Sequence, residues 1–230
     1  MNIYFLVEGK RTEVKVYPKW LSILVPALTC LEANDPNKIT DNQYYLFNGG
    51  GYPNILDDMI NAINDINNIN KFTYFVVCLD ADEFTVNERI DEIKKRIETE
   101  KLNISAELVI IVQNRCFETW FLGNTKVYTR NPQGDFLDYS KYYNVSKSDP
   151  ELMGKINGFE GSISIFHEKY LEKMLLEKNM RYSKCNPYSV CEEAYLKQLI
   201  SRTENTNHLV SLKTFLMFCE QINREIAAFH

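Results

Sequence analysis

The chain has 230 residues, 45% hydrophobic and 25% charged, which matches ordinary globular proteins and excludes disordered and fibrous classes. Asp and Glu (31) outnumber Lys and Arg (26), and the net charge of −5 argues against a non-specific nucleic-acid coat while permitting a locally basic site. Wholly apolar runs stop at about six residues, far short of the ~20 that span a bilayer, so no membrane helix is expected.

Residues 2–7, with the apolar run IYFLV, suit a strand buried on both faces. Met1 leads almost directly into it, without the basic start and apolar length of a secretory signal, so a cytoplasmic protein is expected. Thr12 is placed to cap a helix running to about Leu31. QYYLF (43–47) reads as a second strand closed by Gly49, Gly50 and Gly51. Pro53 then opens a helix with Ile55, Leu56, Met59, Ile60, Ile63 and Ile66 on one face. FTYFVVCL (72–79) is the third strand and the candidate sheet centre, rich in aromatic and β-branched residues. Thr85 and Glu88 have capping-box spacing ahead of a helix over 86–101, with Ile90, Ile93 and Ile97 on one stripe. ELVIIVQ (107–113) supplies a fourth strand, and Cys116 to Leu122 reads as a short apolar helix. The βαβαβαβα order implies an α/β fold with right-handed crossovers and a mainly parallel four-stranded sheet flanked by helices.

That α/β domain covers residues 1–125. From 126 to 161 prolines and glycines (Pro132, Gly134, Pro150, Gly154, Gly158 and Gly161) interrupt any periodicity, as in an irregular insertion or linker. Residues 162–230 read as a C-terminal helical subdomain, with helices near 163–178, 190–202 and 211–227. His167, His208 and His230 all fall in it, and no nucleophile-base pattern assembles around them. The six cysteines form no CxxC pair, so neither structural zinc nor disulfides are expected.

Acidic residues mark the ends of the predicted strands. Glu8 follows IYFLV, Asp80 and Asp82 follow FTYFVVCL, and Glu118 lies a few residues beyond ELVIIVQ. Parallel strands point their carboxyl ends at one edge, so such side chains can converge from distant positions. Asp80, Asp82 and Glu83 put three carboxylates within four positions, and their repulsion is relieved by a hard cation such as magnesium. The plainer alternative is an aspartate capping the next helix. Glu8, before Gly9 and a helix start, fits a metal ligand or general base, with Lys10 and Arg11 as charges for a phosphate; a solvated loop explains the same residues. Arg115 and Glu118 fit phosphate and metal support, or a simple surface pair. The triple glycine fits a phosphate approach or an ordinary turn, and Lys184 a phosphate contact or a solvated lysine. Phosphatases of the haloacid-dehalogenase type also carry DxD, but after the first strand and with Thr or Val where this chain has Phe84.

Together, Glu8-Gly9 and the strand-end Asp80 and Asp82 resemble the Toprim superfamily of topoisomerases, primases and OLD-type nucleases. The EGKRTE opening and the CFETW segment resemble its RloB-like, phage-defence-associated branch, with Arg115 standing where that branch has proline. The resemblance spans residues 1 to about 122, with looser matches at Lys184 and His208. It implies Mg²⁺ or Mn²⁺ held by Asp80, Asp82 and Glu8, and Glu8 as the alternative acid/base. It further implies Glu118 as metal support and Lys10, Arg11, Arg115 and Lys184 as phosphate contacts. The expected function is therefore a metal-dependent nuclease, with RNA among its candidate substrates, acting as an abortive-infection effector in antiviral defence. The expected partners are a nucleic-acid substrate and an ABC- or AAA-type ATPase, with the oligomeric state left open. The competing expectations are a Toprim-like binding module that does not cut and a nucleotide phosphohydrolase.

Overall fold

In the computed structural model of the chain, which describes residues 1–228, β1 (Asn2–Val7) is buried at all six positions. It is followed by α1 (Glu13–Leu24), β2 (Thr29–Cys30), β3 (Gln43–Asn48), α2 (Asn54–Ile69), β4 (Tyr74–Asp80), α3 (Val86–Thr99) and β5 (Glu107–Gln113). Six further helices complete the described chain: α4 (Phe117–Phe121), α5 (Phe136–Tyr142), α6 (Ile163–Leu176), α7 (Tyr188–Cys191), α8 (Glu193–Asn205) and α9 (Val210–Ala228). His230 lies outside the described residues. The chain groups into two units that interleave along the sequence. One comprises Met1–Leu79, Val86–Val112 and the chain from Phe215; the other comprises Asp80–Thr85 and Gln113–Thr214.

The first unit is α/β. Its sheet has five strands in the order β2-β3-β1-β4-β5, not the four expected, and β1 lies parallel to both β3 and β4. The extra strand falls inside the stretch expected to be helix through Leu31. Helix α1 stops at Leu24 because Pro26 follows Val25, and the residue before a proline is pushed out of the helical region. The released chain then runs two residues parallel to β3. The middle position also belongs to β1, with β4 beside it.

Alternation along β1 sends adjacent side chains to opposite faces. Tyr4 meets the rings of Tyr45, Phe72 and Phe75 at 5.1–5.8 Å, all near edge-to-face. Phe5 meets Tyr17, Tyr44 and Phe218. The last helix therefore belongs to this core from Phe215 onward: Phe215 packs on Tyr17, and Phe218 packs on Tyr74. Polar bonds fix its register. The Tyr74 hydroxyl donates to Glu225 at 2.7 Å, and Asn223 donates to the Leu24 carbonyl at 2.6 Å, at the end of α1.

The second unit is helical and aromatic. The segment expected to be irregular holds α5, whose Tyr139 stacks on Phe166 of α6 at 5.2 Å, while Phe136 meets Tyr170 edge-on. Seven residues are too few for a periodic signal to stand out from the neighbouring tyrosines. Trp120 donates to the Ser211 hydroxyl at 2.7 Å, and the Ser211 amide donates to buried Glu151. Among the described residues, no helix is long and apolar enough to cross a membrane.

Replacing Phe5 tests the first core. Phe5→Ala is expected to lower unfolding free energy by about 3–5 kcal/mol in urea titrations, as for other fully buried aromatics. Leu152→Ala, at a side chain 76% exposed, is expected to stay within about 0.5 kcal/mol of wild type.

Candidate active site

Strand β4 ends in Asp80, half-buried, and the next residues continue a ladder within the second unit. The Ala81 amide donates to the Gln113 carbonyl at 2.9 Å and the Asp82 amide to the Arg115 carbonyl at 2.7 Å. Asp82 and Arg115 both take left-handed backbone, with φ of 51° and 74°. Residues two apart in an extended segment project to one side, an expectation for Asp80 and Asp82 that the left-handed turn at Asp82 breaks. The Ser164 hydroxyl donates to Asp82 Oδ1 at 2.6 Å, and the Ile163 amide donates to Glu83 Oε1 at 2.7 Å. Two of the three clustered carboxylates thus anchor their loop to the first turn of α6, where free amides and the helix dipole favour anions. Ser162 caps the same helix, accepting from the Ile165 amide.

Arg115 ties the loop from the other side. Its guanidinium donates to the Asp82 carbonyl at 3.3 Å, while its buried Nε makes no hydrogen bond. Proline cannot occupy this position, because its ring holds φ near −65°. The departure from the RloB-like pattern at Arg115 therefore has a backbone counterpart in the 74° φ.

Glu118, on α4, is 1% exposed. The Tyr182 hydroxyl donates to its Oε1 at 2.6 Å, and the Lys184 ammonium lies 3.8 Å from the same oxygen and 3.5 Å from Glu168. Asp80 belongs to the same electrostatic neighbourhood. Burial alone would lower the Lys184 pKa, but Glu118 and Glu168, with Cys116 and Asp80 adding, carry it above its ordinary value. Lys184 is thus the counter-ion of an acidic cluster, with carboxylates as its near partners. Burial pushes the Cys116 thiol well above its ordinary pKa, and Glu118 and Asp80 push it further, so it is no thiolate nucleophile. Burial also raises Glu168, with Lys184 opposing.

His167, on α6 next to Glu168, is fully buried. Its Nε2 faces the Met153 carbonyl at 2.9 Å; since a carbonyl only accepts, Nε2 carries the proton and Nδ1 accepts from the Thr119 hydroxyl at 2.8 Å. Burial, with the Arg115 charge also acting against the imidazolium, pulls its pKa down to about 4. A neutral, doubly bonded imidazole here is structural.

In the first unit, Glu8 directly follows β1, and its amide donates to the Cys78 carbonyl at 3.0 Å. The Tyr52 amide donates to Glu8 Oε1 at 3.2 Å. The triple glycine wraps this strand end: Gly49 and Gly51 donate to the Val7 and Glu8 carbonyls, with Gly50 and Gly51 at φ of 71° and 94°. Lys10 and Arg11 are exposed, and the Lys10 side chain runs past Gly50. Glu13, in the first turn of α1, is 8% exposed and packs its carboxylate against Gly9, so any side chain at Gly9 would strike it. The Tyr52 ring lies under the buried Arg89 guanidinium, 3.9 Å from its centroid, and the Tyr52 hydroxyl donates to Glu92.

Among the described residues, no group of three His, Cys, Asp or Glu side chains is arranged to hold a metal ion. The donor chemistry still fits magnesium. That ion retains several waters and is usually held by one or two carboxylates together with substrate phosphates, so a three-donor cage is not required. Ser164 occupies one lone-pair site of Asp82, and an ionised carboxylate has about four. The chain matches no family model, no curated protein and no solved structure.

Ser164, Glu168 and Tyr182 are the partners that sequence reasoning missed. They come from a helix and a loop far along the chain with no motif of their own. Glu13 stood in plain view within EGKRTE, and its burial was the missing signal.

His167 gives the site a pH test. Its folded pKa lies below the unfolded value near 6.5, so the unfolded chain binds more protons between them. The contribution is complete above pH ~6.5 and is lost as pH falls toward 4, a difference worth roughly 3 kcal/mol. Glu151 and Glu168, both raised by burial, act in the opposite sense as pH falls. Urea titrations of wild type and His167→Gln isolate the histidine: the stability gap between them is expected to narrow from pH 7 to pH 4.

Proposed function

We propose that the chain is a metal-dependent nuclease that hydrolyses phosphodiester bonds in a nucleic acid. The observation that carries this reading is Asp80, which ends a parallel strand in a cluster with buried Glu118 and half-buried Glu168 and Lys184. Strand ends of open α/β sheets are the usual location of phosphate chemistry. Asp80 and Asp82 are the proposed holders of Mg²⁺ or Mn²⁺. When bound, the ion supplies Lewis-acid polarisation of the phosphoryl oxygens and a more acidic water.

The protein's own groups have separable tasks. Glu118, fixed by Tyr182 and Lys184, orients the acidic cluster. Arg115, whose guanidinium is tied to the Asp82 carbonyl beside the cluster, supplies positive charge for a phosphate. Glu8, held by the Tyr52 amide, is the proton-transfer group that the Toprim resemblance assigns, and Lys10 and Arg11 are exposed beside it for phosphate charge. The RloB-like motifs extend the proposal to an antiviral effector working with an ABC- or AAA-type ATPase.

A second reading has its own observation. Asp82 is held by Ser164, and Glu118 by Tyr182 and Lys184, so these carboxylates also serve to fix the local structure, which favours a module that binds nucleic acid without cutting it.

One assay separates the two. Purified protein with Mn²⁺ or Mg²⁺ is given single-stranded, duplex and transfer RNA, and DNA. Wild type is expected to cleave at least one, and Asp80→Asn and Glu8→Gln to slow cleavage by about 100-fold or more. Undiminished cleavage in both variants would contradict the assigned residues. Binding without cleavage by wild type would select the second reading.

A further inference from the structure

Within the second unit lies a cavity of about 720 Å³ whose chemistry differs from that of the rest of the chain. Four of its ten lining residues are cations: Lys126, Arg130, Lys147 and Lys178. Among the described residues that line it there is no Asp or Glu. In a protein of net charge −5, this lining concentrates positive charge in one concave place. All four cations are exposed, and among the described residues none of them is ion-paired.

Local hydrogen bonds fix the two loops that carry Lys126 and Lys147. Asn124, 2% exposed, accepts from the Lys126 amide at 3.0 Å and fixes one loop. Asn144 accepts from both the amide and the hydroxyl of Ser146, and the Lys147 amide donates to the Asn144 carbonyl, fixing the second. Tyr128, also in the lining, rests edge-on against buried Phe136 and presents an aromatic side chain among the cations. A second cavity of about 250 Å³ shares Thr125, Ser146 and Lys147 with the first and adds Arg202 and His208. Arg202 is locked there by the Gly123 and Ser148 carbonyls and by His208 Nδ1, which must accept from it. The two cavities therefore lie side by side, with Thr125, Ser146 and Lys147 common to both, and together make one basic track along this surface whose lining also carries hydroxyl and amide groups.

We propose that this track binds the backbone of single-stranded nucleic acid. Cations spaced along a concave path neutralise successive phosphates, and a tyrosine among them offers a base a surface on which to stack. Two neighbouring cavities with shared basic lining suit successive phosphates of a strand better than one free nucleotide, which would occupy only one of them. The residues involved are separate from the acidic cluster around Asp80, so binding here does not depend on cleavage.

The test measures fluorescence anisotropy of a fluorescein-labelled oligouridine with the full chain in EDTA, over a series of salt concentrations. Wild type is expected to bind with a salt-dependent affinity. The triple variant Lys126→Ala, Arg130→Ala, Lys147→Ala is expected to bind at least tenfold more weakly, and its log–log salt slope to flatten by about 0.7 for each phosphate that is no longer neutralised. The charge-conserving pair Lys126→Arg, Lys147→Arg is expected to bind as wild type. Because the altered side chains are exposed, unchanged thermal melts confirm that the variants fold. Wild-type affinity and slope in the triple variant, or no binding by wild type, would overturn the proposal. Inorganic triphosphate displacing the oligonucleotide at equal concentration would overturn it in favour of a free-phosphate site. Oligonucleotide binding by this track in a protein that never cleaves would leave the proposal standing and remove the nuclease reading. Cleavage unaffected by the triple variant, with unchanged binding, would do the reverse.

Discussion

Burial of β1 on both faces is the constraint on which the first unit depends. Tyr4 and Phe5 lie in aromatic layers on opposite sides of the same strand, so no position between Asn2 and Val7 can carry a charge toward water. Polar chemistry is displaced to the strand's end. There the backbone of Glu8 completes the ladder through the Cys78 carbonyl, and the triple glycine folds over it with φ values that other residues avoid. The final helix contributes to the same layers through Phe215 and Phe218, which ties the end of the described chain to its beginning.

The second unit meets the opposite difficulty, since it takes charge inside. A carboxylate as buried as Glu118 is costly unless its oxygens are bonded and its charge opposed. Tyr182 and Lys184 supply both, and the same ammonium moderates Glu168 and Asp80. The first turn of α6 acts in parallel by holding Asp82 and Glu83 through Ser164 and Ile163. This arrangement keeps Asp80 among acidic neighbours while the residues after it are fixed to a helix. The left-handed backbone at Asp82 and Arg115 is sustained by these bonds, because strained conformations persist only where the surroundings determine them.

Strand-forming segments were legible because each is a continuous apolar run, and the helices after β3 and β4 because their isoleucines repeat at helical spacing. Thr29–Cys30 was not legible: two residues carry no period, and the preceding helix pattern hid the break at Pro26. Helix α5 was hidden by its brevity. Asp80 and Glu118 could be singled out from their place after apolar runs, but their company could not. Lys184 meets Glu118 through tertiary packing across 66 positions of sequence and brings Glu168 in as its second partner. Asp82 illustrates the limit most clearly. Strand alternation assigned its direction, and a single left-handed φ with a serine from α6 decided otherwise.

The central claim, that the strand-end carboxylates of β4 form a divalent-cation site, is tested most directly by calorimetric titration of the full chain with Mn²⁺ alone. Saturable binding by wild type that is lost in Asp80→Asn and weakened in Asp82→Asn, with unchanged thermal melts in metal-free buffer, is the predicted result. Absence of saturable binding by wild type, or equal binding by wild type and Asp80→Asn, would contradict it.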